Sequence, residues 1–363
     1  MRRVLFLVIV LCLIGPKTAL PANHSGKLPV KAALVAEYGS GKILYSQDPN
    51  RRIAPASVTK VMTMYLVFDL VAAGKASFSD RVKVSYRADS TGGSTMNLRA
   101  GETVTLDELM RGMAVASGND AAVAVAEHFG GVPQWVARMN RKARDLGMKS
   151  THFVNPNGLP ARGQLTTAGD LMKLAQSYLR HYPQALHYHS TTIINHCGAV
   201  HGNTNQLLGV CEGMDGIKTG FVSSSGFNII ATAKRGKTRV IAVVLGGRTK
   251  QIRNRETKRV LDAAFTGSIT SMMAANTTPD DQQVAPTKVK HRSAKRHASK
   301  TMRLATAERK GKINSRRGAS AHIDGHEAHV KKSRHASKAK APASHTKKAH
   351  ADKAKKKAGA SSR

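Results

Sequence analysis

Ser57-Val58-Thr59-Lys60 sets a hydroxyl and an amine three positions apart, on one face of the first turn of a helix. A serine oxygen attacks a carbonyl poorly until its proton is taken, and a lysine takes it when burial or a second cation holds the amine neutral. A helix N-terminus adds a positive dipole end and free backbone N–H groups, which favour an oxyanion beside Ser57. The pair is common by chance: Ser337-Lys338-Ala339-Lys340 and Ser344-His345-Thr346-Lys347 repeat it where no pocket can form. Two further elements, in order, set Ser57 and Lys60 apart. Ser117-Gly118-Asn119 follows about sixty residues later, and Lys218-Thr219-Gly220 about a hundred after that. Ser117 can pass a proton between Lys60 and a leaving amine, and Asn119 can hold Lys60 and a substrate amide through its two-way hydrogen bonding. Lys218 keeps the pocket electropositive, depresses the pKa of Lys60 and attracts a carboxylate to which Thr219 donates a hydrogen bond. Gly220, lacking a Cβ, lets substrate backbone lie along a strand, and the N–H of Phe221 completes an oxyanion hole.

Elements that could position these groups are visible along residues 30 to about 265, a length that can bury a core. Ala32 to Glu37 and Lys42 to Ser46, around Tyr38-Gly39-Ser40-Gly41, predict a hairpin. Ser57 to Leu70 predicts a helix apolar on one face. Thr105-Leu106-Asp107-Glu108 is a capping-box pattern opening a helix toward Ala116, and Asn119 to His128 predicts the next, leaving Ser117-Gly118 in the turn. Phe227 to Ala233 and Val240 to Gly246 predict a second hairpin, and Arg255 to Phe265 the last helix. With strands at both ends and helices between, the expectation is an α+β unit with an antiparallel sheet and a helical region beside it.

The formal charge of +36 points to anionic partners rather than to a fold. Much of it is local: residues 281 to 363 hold 24 Lys and Arg against 5 Asp and Glu, a net +19. From 266 to 363 there is no Phe, Tyr or Trp, and aliphatics such as Ile269, Leu304 and Ile323 stand alone, so residues 269–363 are expected to be a disordered Lys/His/Ala-rich tail. His322, His326 and His329 have metal-compatible spacing, but so polar a segment favours titratable spacers, and no metal is assigned. Met1-Arg2-Arg3 before the apolar run Val4 to Ile14 predicts a secretory signal over 1–22, with a retained anchor as the alternative. Cys12 falls in that run without a lipid-attachment context. Cys197 and Cys211 are compatible with a disulfide closing a loop of about fourteen residues or with two separate thiols.

The three motifs in this order resemble those of the low-molecular-mass penicillin-binding proteins that are serine D-alanyl-D-alanine carboxypeptidases. The resemblance runs from about Ala32 to Phe265. It takes in Pro55-Ala56-Ser57, Gly118-Asn119-Asp120-Ala121, Thr151-His152-Phe153, Gly158-Leu159, Thr167-Ala168 with Asp170, Asp215 to Phe221, and Gly246-Gly247-Arg248-Thr249 with Arg253 and Glu256. It implies a β-lactamase/transpeptidase-like catalytic domain over 23–268, removal of the terminal D-alanine of peptidoglycan pentapeptides through an acyl-enzyme on Ser57, and acylation of that serine by β-lactam antibiotics. It also implies a carboxylate-steering role for Arg253, against a surface arginine on the last helix. Members usually carry a small β-rich domain and an amphipathic anchor; here a basic tail stands in that place, suited to anionic envelope polymers or a membrane surface rather than to a specific nucleic acid. No cofactor is implied.

Three other functions compete. A β-lactamase must release its acyl-enzyme quickly, and class A enzymes use a glutamate-held water; between Glu127 and Glu212 this chain has no Glu. A D,D-endopeptidase shares all three motifs, with Asp215-Gly216-Ile217 leaning toward carboxypeptidase by resemblance. A basic envelope-binding protein with an inert serine domain would not be acylated by penicillin.

Overall fold

The computed structural model describes residues 26–274; the expected signal at 1–22, Cys12, and the basic tail from 275 onward with His322, His326 and His329 lie outside the described residues. No helix among the described residues is long and apolar enough to cross a membrane. Strands β1 (Ala32–Glu37) and β2 (Ile43–Gln47) form the expected first hairpin. A 3-10 turn, Ala56–Thr59, leads into α1 (Lys60–Ala72), where every residue from Lys60 to Phe68 is buried. The sequence suggested one apolar face; Val, Met, Leu and Phe in fact surround the axis, as in a helix packed on all sides.

The short strands β3 (Arg81–Lys83) and β4 (Thr103–Thr105) pair around α2 (Tyr86–Asp89). The capping box opens α3 (Leu106–Ala114): the Thr105 hydroxyl accepts from the Glu108 N–H at 3.1 Å, and the Glu108 carboxylate accepts from the Thr105 N–H at 2.7 Å. Then come α4 (Asn119–His128), α5 (Val132–Asp145), α6 (Ala168–His181) and α7 (Leu186–Ser190). A small hairpin of β5 (Ile193–His196) and β6 (Ala199–Gly202) precedes the long strands β7 (Met214–Val222), β8 (Gly226–Arg235) and β9 (Thr238–Gly247). The chain continues through α8 (Lys250–Thr266) and α9 (Ile269–Ala274).

The main sheet is antiparallel with strand order β2-β1-β9-β8-β7, so the first and last strands of the sheet meet inside it. Alternation divides its side chains between two cores. Ala32, Leu34, Ile241, Val243 and Leu245 face the large helical layer around α1, while Ala33, Val35, Val240, Ala242 and Val244 face α8 and α9. Burial on both faces explains why β8 and β9 read as nearly continuous apolar runs.

Two details depart from expectation, and a third decides between alternatives the sequence left open. The last long helix starts at Lys250 rather than Arg255, because the Thr249 hydroxyl accepts from the Ile252 N–H and caps a turn whose charged residues hide it. Order extends past the expected boundary at 268: Ile269 is buried in the second core, so an isolated aliphatic suffices where a docking face already exists. Cys197 is exposed, Cys211 is buried, and both are free thiols, so no disulfide closes the loop between them.

Candidate active site

The turn carrying Ser57 is built under constraint. Ala56 adopts φ +53°, a left-handed conformation costly for a residue with a Cβ. It is held there from both sides. A Cβ at Gly158 would lie 1.9 Å from the Ala56 carbonyl oxygen, and one at Gly220 would lie 2.9 Å from the Ser57 nitrogen. Gly220 is therefore required by the serine turn itself, a demand additional to the room for substrate backbone that the sequence suggested. Behind the turn the buried Asn228 amide donates to the carbonyls of Ala54 and Pro55, at 3.1 and 3.3 Å, and accepts from the Gly246 N–H at 2.9 Å. One side chain thus ties the segment before Ser57 to β8 and β9.

Lys60 is fully buried, and its Nζ lies 3.0 Å from Ser57 Oγ, 2.6 Å from Asn119 Oδ1 and 2.7 Å from the Asn157 carbonyl oxygen. A neutral amine has two N–H bonds and one lone pair. With Asn119 and Asn157 accepting the two N–H bonds, the lone pair is left for the Ser57 hydroxyl. Burial, then the charge of Lys218, holds the Lys60 pKa well below its ordinary value, with Asp120 pulling in the opposite direction. This arrangement can generate a serine nucleophile without a histidine.

Asn119 organises a second wall. Its Nδ2 donates to the Gly92 carbonyl at 2.8 Å and its backbone N–H to that of Ser94 at 2.7 Å. The buried Asp120 carboxylate accepts from the N–H groups of Met96, Leu98 and Ala121, fixing the segment that follows. Ser117 is buried at φ +62°, between α3 and α4, and lines the same cavity as Ser57.

That cavity, about 260 Å³, is also lined by Ser94, Thr204, Thr219, Gly220, Phe221 and Arg253. Lys218 is buried on β7, with a pKa pulled down to about 7 by burial and then by Arg253. Its Nζ reaches Thr204 Oγ1 at 3.4 Å, and the Thr219 hydroxyl donates to the same oxygen at 2.9 Å. Arg253 is not a surface residue: it is 2% exposed, donates to the Asn228 carbonyl and Asn254 Oδ1, and lines the cavity. Lys218, Thr219 and Arg253 make one end of the cavity suited to a carboxylate. A second cavity of about 310 Å³ lies on the other side of the turn, against Ala56, Gly158, Leu159, Arg162 and Gln164.

All the predicted site residues, Ser57, Lys60, Ser117, Asn119, Lys218, Thr219, Gly220, Phe221 and Arg253, gather around one turn. Sequence reasoning missed Asn157, Thr204 and Asn228, and named Asp120 only as part of a matching block, without its role. The first acts through its backbone carbonyl, which has no residue-type signal. Asn203-Thr204-Asn205 is a turn-like triplet before the Lys218 strand, a faint cue at most.

Comparison with known proteins agrees with this geometry. The family model described as D-alanyl-D-alanine carboxypeptidase matches residues 19–249. The Bacillus subtilis D-alanyl-D-alanine carboxypeptidase DacF is 38% identical over 267 residues, covering 72% of this chain and 67% of that protein. The chain spans about two thirds of the length of the curated relatives it matches. Among solved structures, penicillin-binding protein 5 from Haemophilus influenzae superposes with a TM-score of 0.64 at 34% identity, covering 66% of this chain and 72% of that one. Penicillin-binding protein D2 from Listeria monocytogenes in its cefotaxime-bound form gives 0.61 at 32% identity, covering 66% and 98%.

Proposed function

Because this chain belongs to the D-alanyl-D-alanine carboxypeptidase family, we propose that it removes the terminal D-alanine from peptidoglycan pentapeptides with Ser57 as nucleophile. The observation that carries the assignment of roles is the buried Lys60 amine, set between two committed acceptors and the Ser57 oxygen. Lys60 takes the Ser57 proton as Oγ bonds to the carbonyl carbon between the last two D-alanines. The N–H groups of Ser57 and Phe221 receive the oxyanion. Lys218, Thr219 and Arg253 hold the terminal carboxylate, while Asn119 steadies Lys60 and the substrate amide. As the C–N bond breaks, Ser117 passes the proton from Lys60 to the leaving nitrogen, and free D-alanine departs. Water, deprotonated by Lys60, then attacks the Ser57 ester and returns the enzyme. Penicillins acylate the same serine and mimic the same terminal carboxylate.

The enzyme acts outside the cytoplasm, in the periplasm or cell envelope. The charged head and short apolar run of residues 1–22 support export, and the basic residues 269–363 support a tether to anionic envelope polymers or the membrane surface. Incubating the purified chain and its Ser57→Ala variant with pentapeptide-bearing peptidoglycan tests the main assignment. Free D-alanine from the wild type alone is expected; shortened cross-links without it would indicate an endopeptidase, and activity in the variant would remove Ser57 from its role. Removal of residues 281–363 should lower retention on washed envelopes, and unchanged retention would sink the tether.

A further inference from the structure

Away from the catalytic cavity, the tip of the β5–β6 hairpin brings three unlike donors together. The carboxylate of Glu102, the imidazole of His196 and the thiol of Cys197 each place a ligand atom within 4.8 Å of the others. His196 Nε2 is already 3.3 Å from Glu102 Oε1, with His196 only 6% exposed. We propose that these residues form a site for one divalent cation of the zinc class.

The donor set fits that chemistry. Imidazole, thiolate and carboxylate together suit a borderline metal such as zinc, whereas calcium and magnesium favour oxygen alone. Bonds of about 2.0 to 2.3 Å around a tetrahedral ion separate neighbouring donors by roughly 3.3 to 3.8 Å. Closing the present spacing to that range needs a shift of about one ångström, within reach of side-chain rotation by an exposed thiol. The carboxylate is oriented in advance, because Glu102 Oε1 also accepts from the Arg99 N–H at 2.7 Å. The thiol sits on a defined turn in which the Gly198 N–H donates to Asn195 Oδ1 at 3.0 Å.

A second imidazole lies on the same hairpin, outside that group of three. His201 pairs with Ile194 and so projects from the same face of the hairpin as His196, and its Nε2 is buried without a hydrogen-bond partner among the described residues. A water molecule can complete the coordination, or His201 after its ring turns toward the ion. On binding, Cys197 loses its thiol proton to solvent and the sulfur pair becomes the metal bond. The cation would join two segments that both lead to the cavity: β6 runs into Thr204, and the loop before Glu102 carries Ser94.

Cobalt(II) added to the full-length protein reports on the site, because a thiolate ligand gives a near-ultraviolet charge-transfer band that the histidine-rich tail cannot produce. One equivalent should saturate the band. Cys197→Ser should abolish it, His196→Ala and Glu102→Gln should weaken binding by about tenfold or more, and Cys211→Ala should leave it intact. Zinc should also slow alkylation of Cys197 by iodoacetamide by about tenfold or more, since the bound thiolate is no longer available. D-alanine release by Cys197→Ser should remain, which separates the cation site from the catalytic assignment. No band, a band that survives Cys197→Ser, or alkylation unaffected by zinc would each overturn the proposal.

Discussion

Replacing Gly220 by alanine tests whether the serine turn or the substrate demands a glycine on β7. The added Cβ would stand 2.9 Å from the Ser57 nitrogen and 3.1 Å from both the Ala56 Cβ and the Val58 nitrogen. Non-bonded carbon contacts settle near 3.5 Å or more, so the shortfall is about half an ångström. The atoms it meets are backbone and a methyl group fixed to the turn. Neither can rotate aside, and β7 is pinned along its length by β8. The turn must therefore retreat, carrying Ser57 Oγ away from Lys60. Overpacking of this kind costs about 1–3 kcal/mol of stability. A displacement approaching an ångström costs about 10²-fold in rate, so half that distance should slow acylation roughly tenfold or more. Stopped-flow labelling with a fluorescent penicillin, beside thermal unfolding, measures both. A small sulfonyl fluoride, which modifies an activated serine without lying along a strand, separates the causes. If the turn has moved, its reaction with Gly220→Ala falls in step with that of penicillin. Undiminished reaction with the sulfonyl fluoride, or penicillin acylation at the wild-type rate, would refute the argument.

Two further outcomes follow from the charges in the pocket. Lys60 must be neutral and Lys218 charged, so penicillin capture should rise with pH through the depressed pKa of Lys60 and fall as pH passes about 7, where Lys218 loses its proton; a Lys218→Met variant that kept the alkaline fall would contradict this. Stability should run the other way: the folded pKa of Lys218 lies below its unfolded value near 10.4, so the unfolded chain binds more protons between those limits and the fold gains stability as pH rises across them. Melting curves from pH 6.5 to 9 should show that gain in the wild type and a flatter response in Lys218→Met. Neither cavity beside Ser57 has an Asp or Glu in its lining, so the penicilloyl-enzyme should persist; rapid multiple turnover of a chromogenic cephalosporin would contradict this.

The side chains of the site were legible because hydroxyl, amine and amide perform tasks few other groups can, and their order along the chain restricted the choice. Helix α4 was legible to the residue: the Ser117-Gly118 turn precedes Asn119, and Gly130 and Gly131, both at positive φ, close the chain soon after His128. What escaped was backbone. The Asn157 carbonyl that completes the Lys60 environment comes from a loop 97 positions away, and any residue type could supply it. The second demand on Gly220, from the serine turn, escaped for a related reason: the sequence shows that a Cβ is absent but not which neighbour forbids it. The small cap at Thr249 and the docking of Ile269 were hidden by charged or isolated surroundings, where local pattern is weak and tertiary contact decides.

The glycines that press on the serine turn also bear on how drug resistance could arise. An antibiotic and the natural peptide would meet the same strained loop, and the neighbouring main chain leaves no room at residues 158 or 220 for a side chain that discriminates between them. Selection for escape must then work elsewhere, on rim positions such as Phe221, which is half exposed, and Lys250. There a larger or differently charged group can hinder a rigid bicyclic ring while a flexible stem still bends past it.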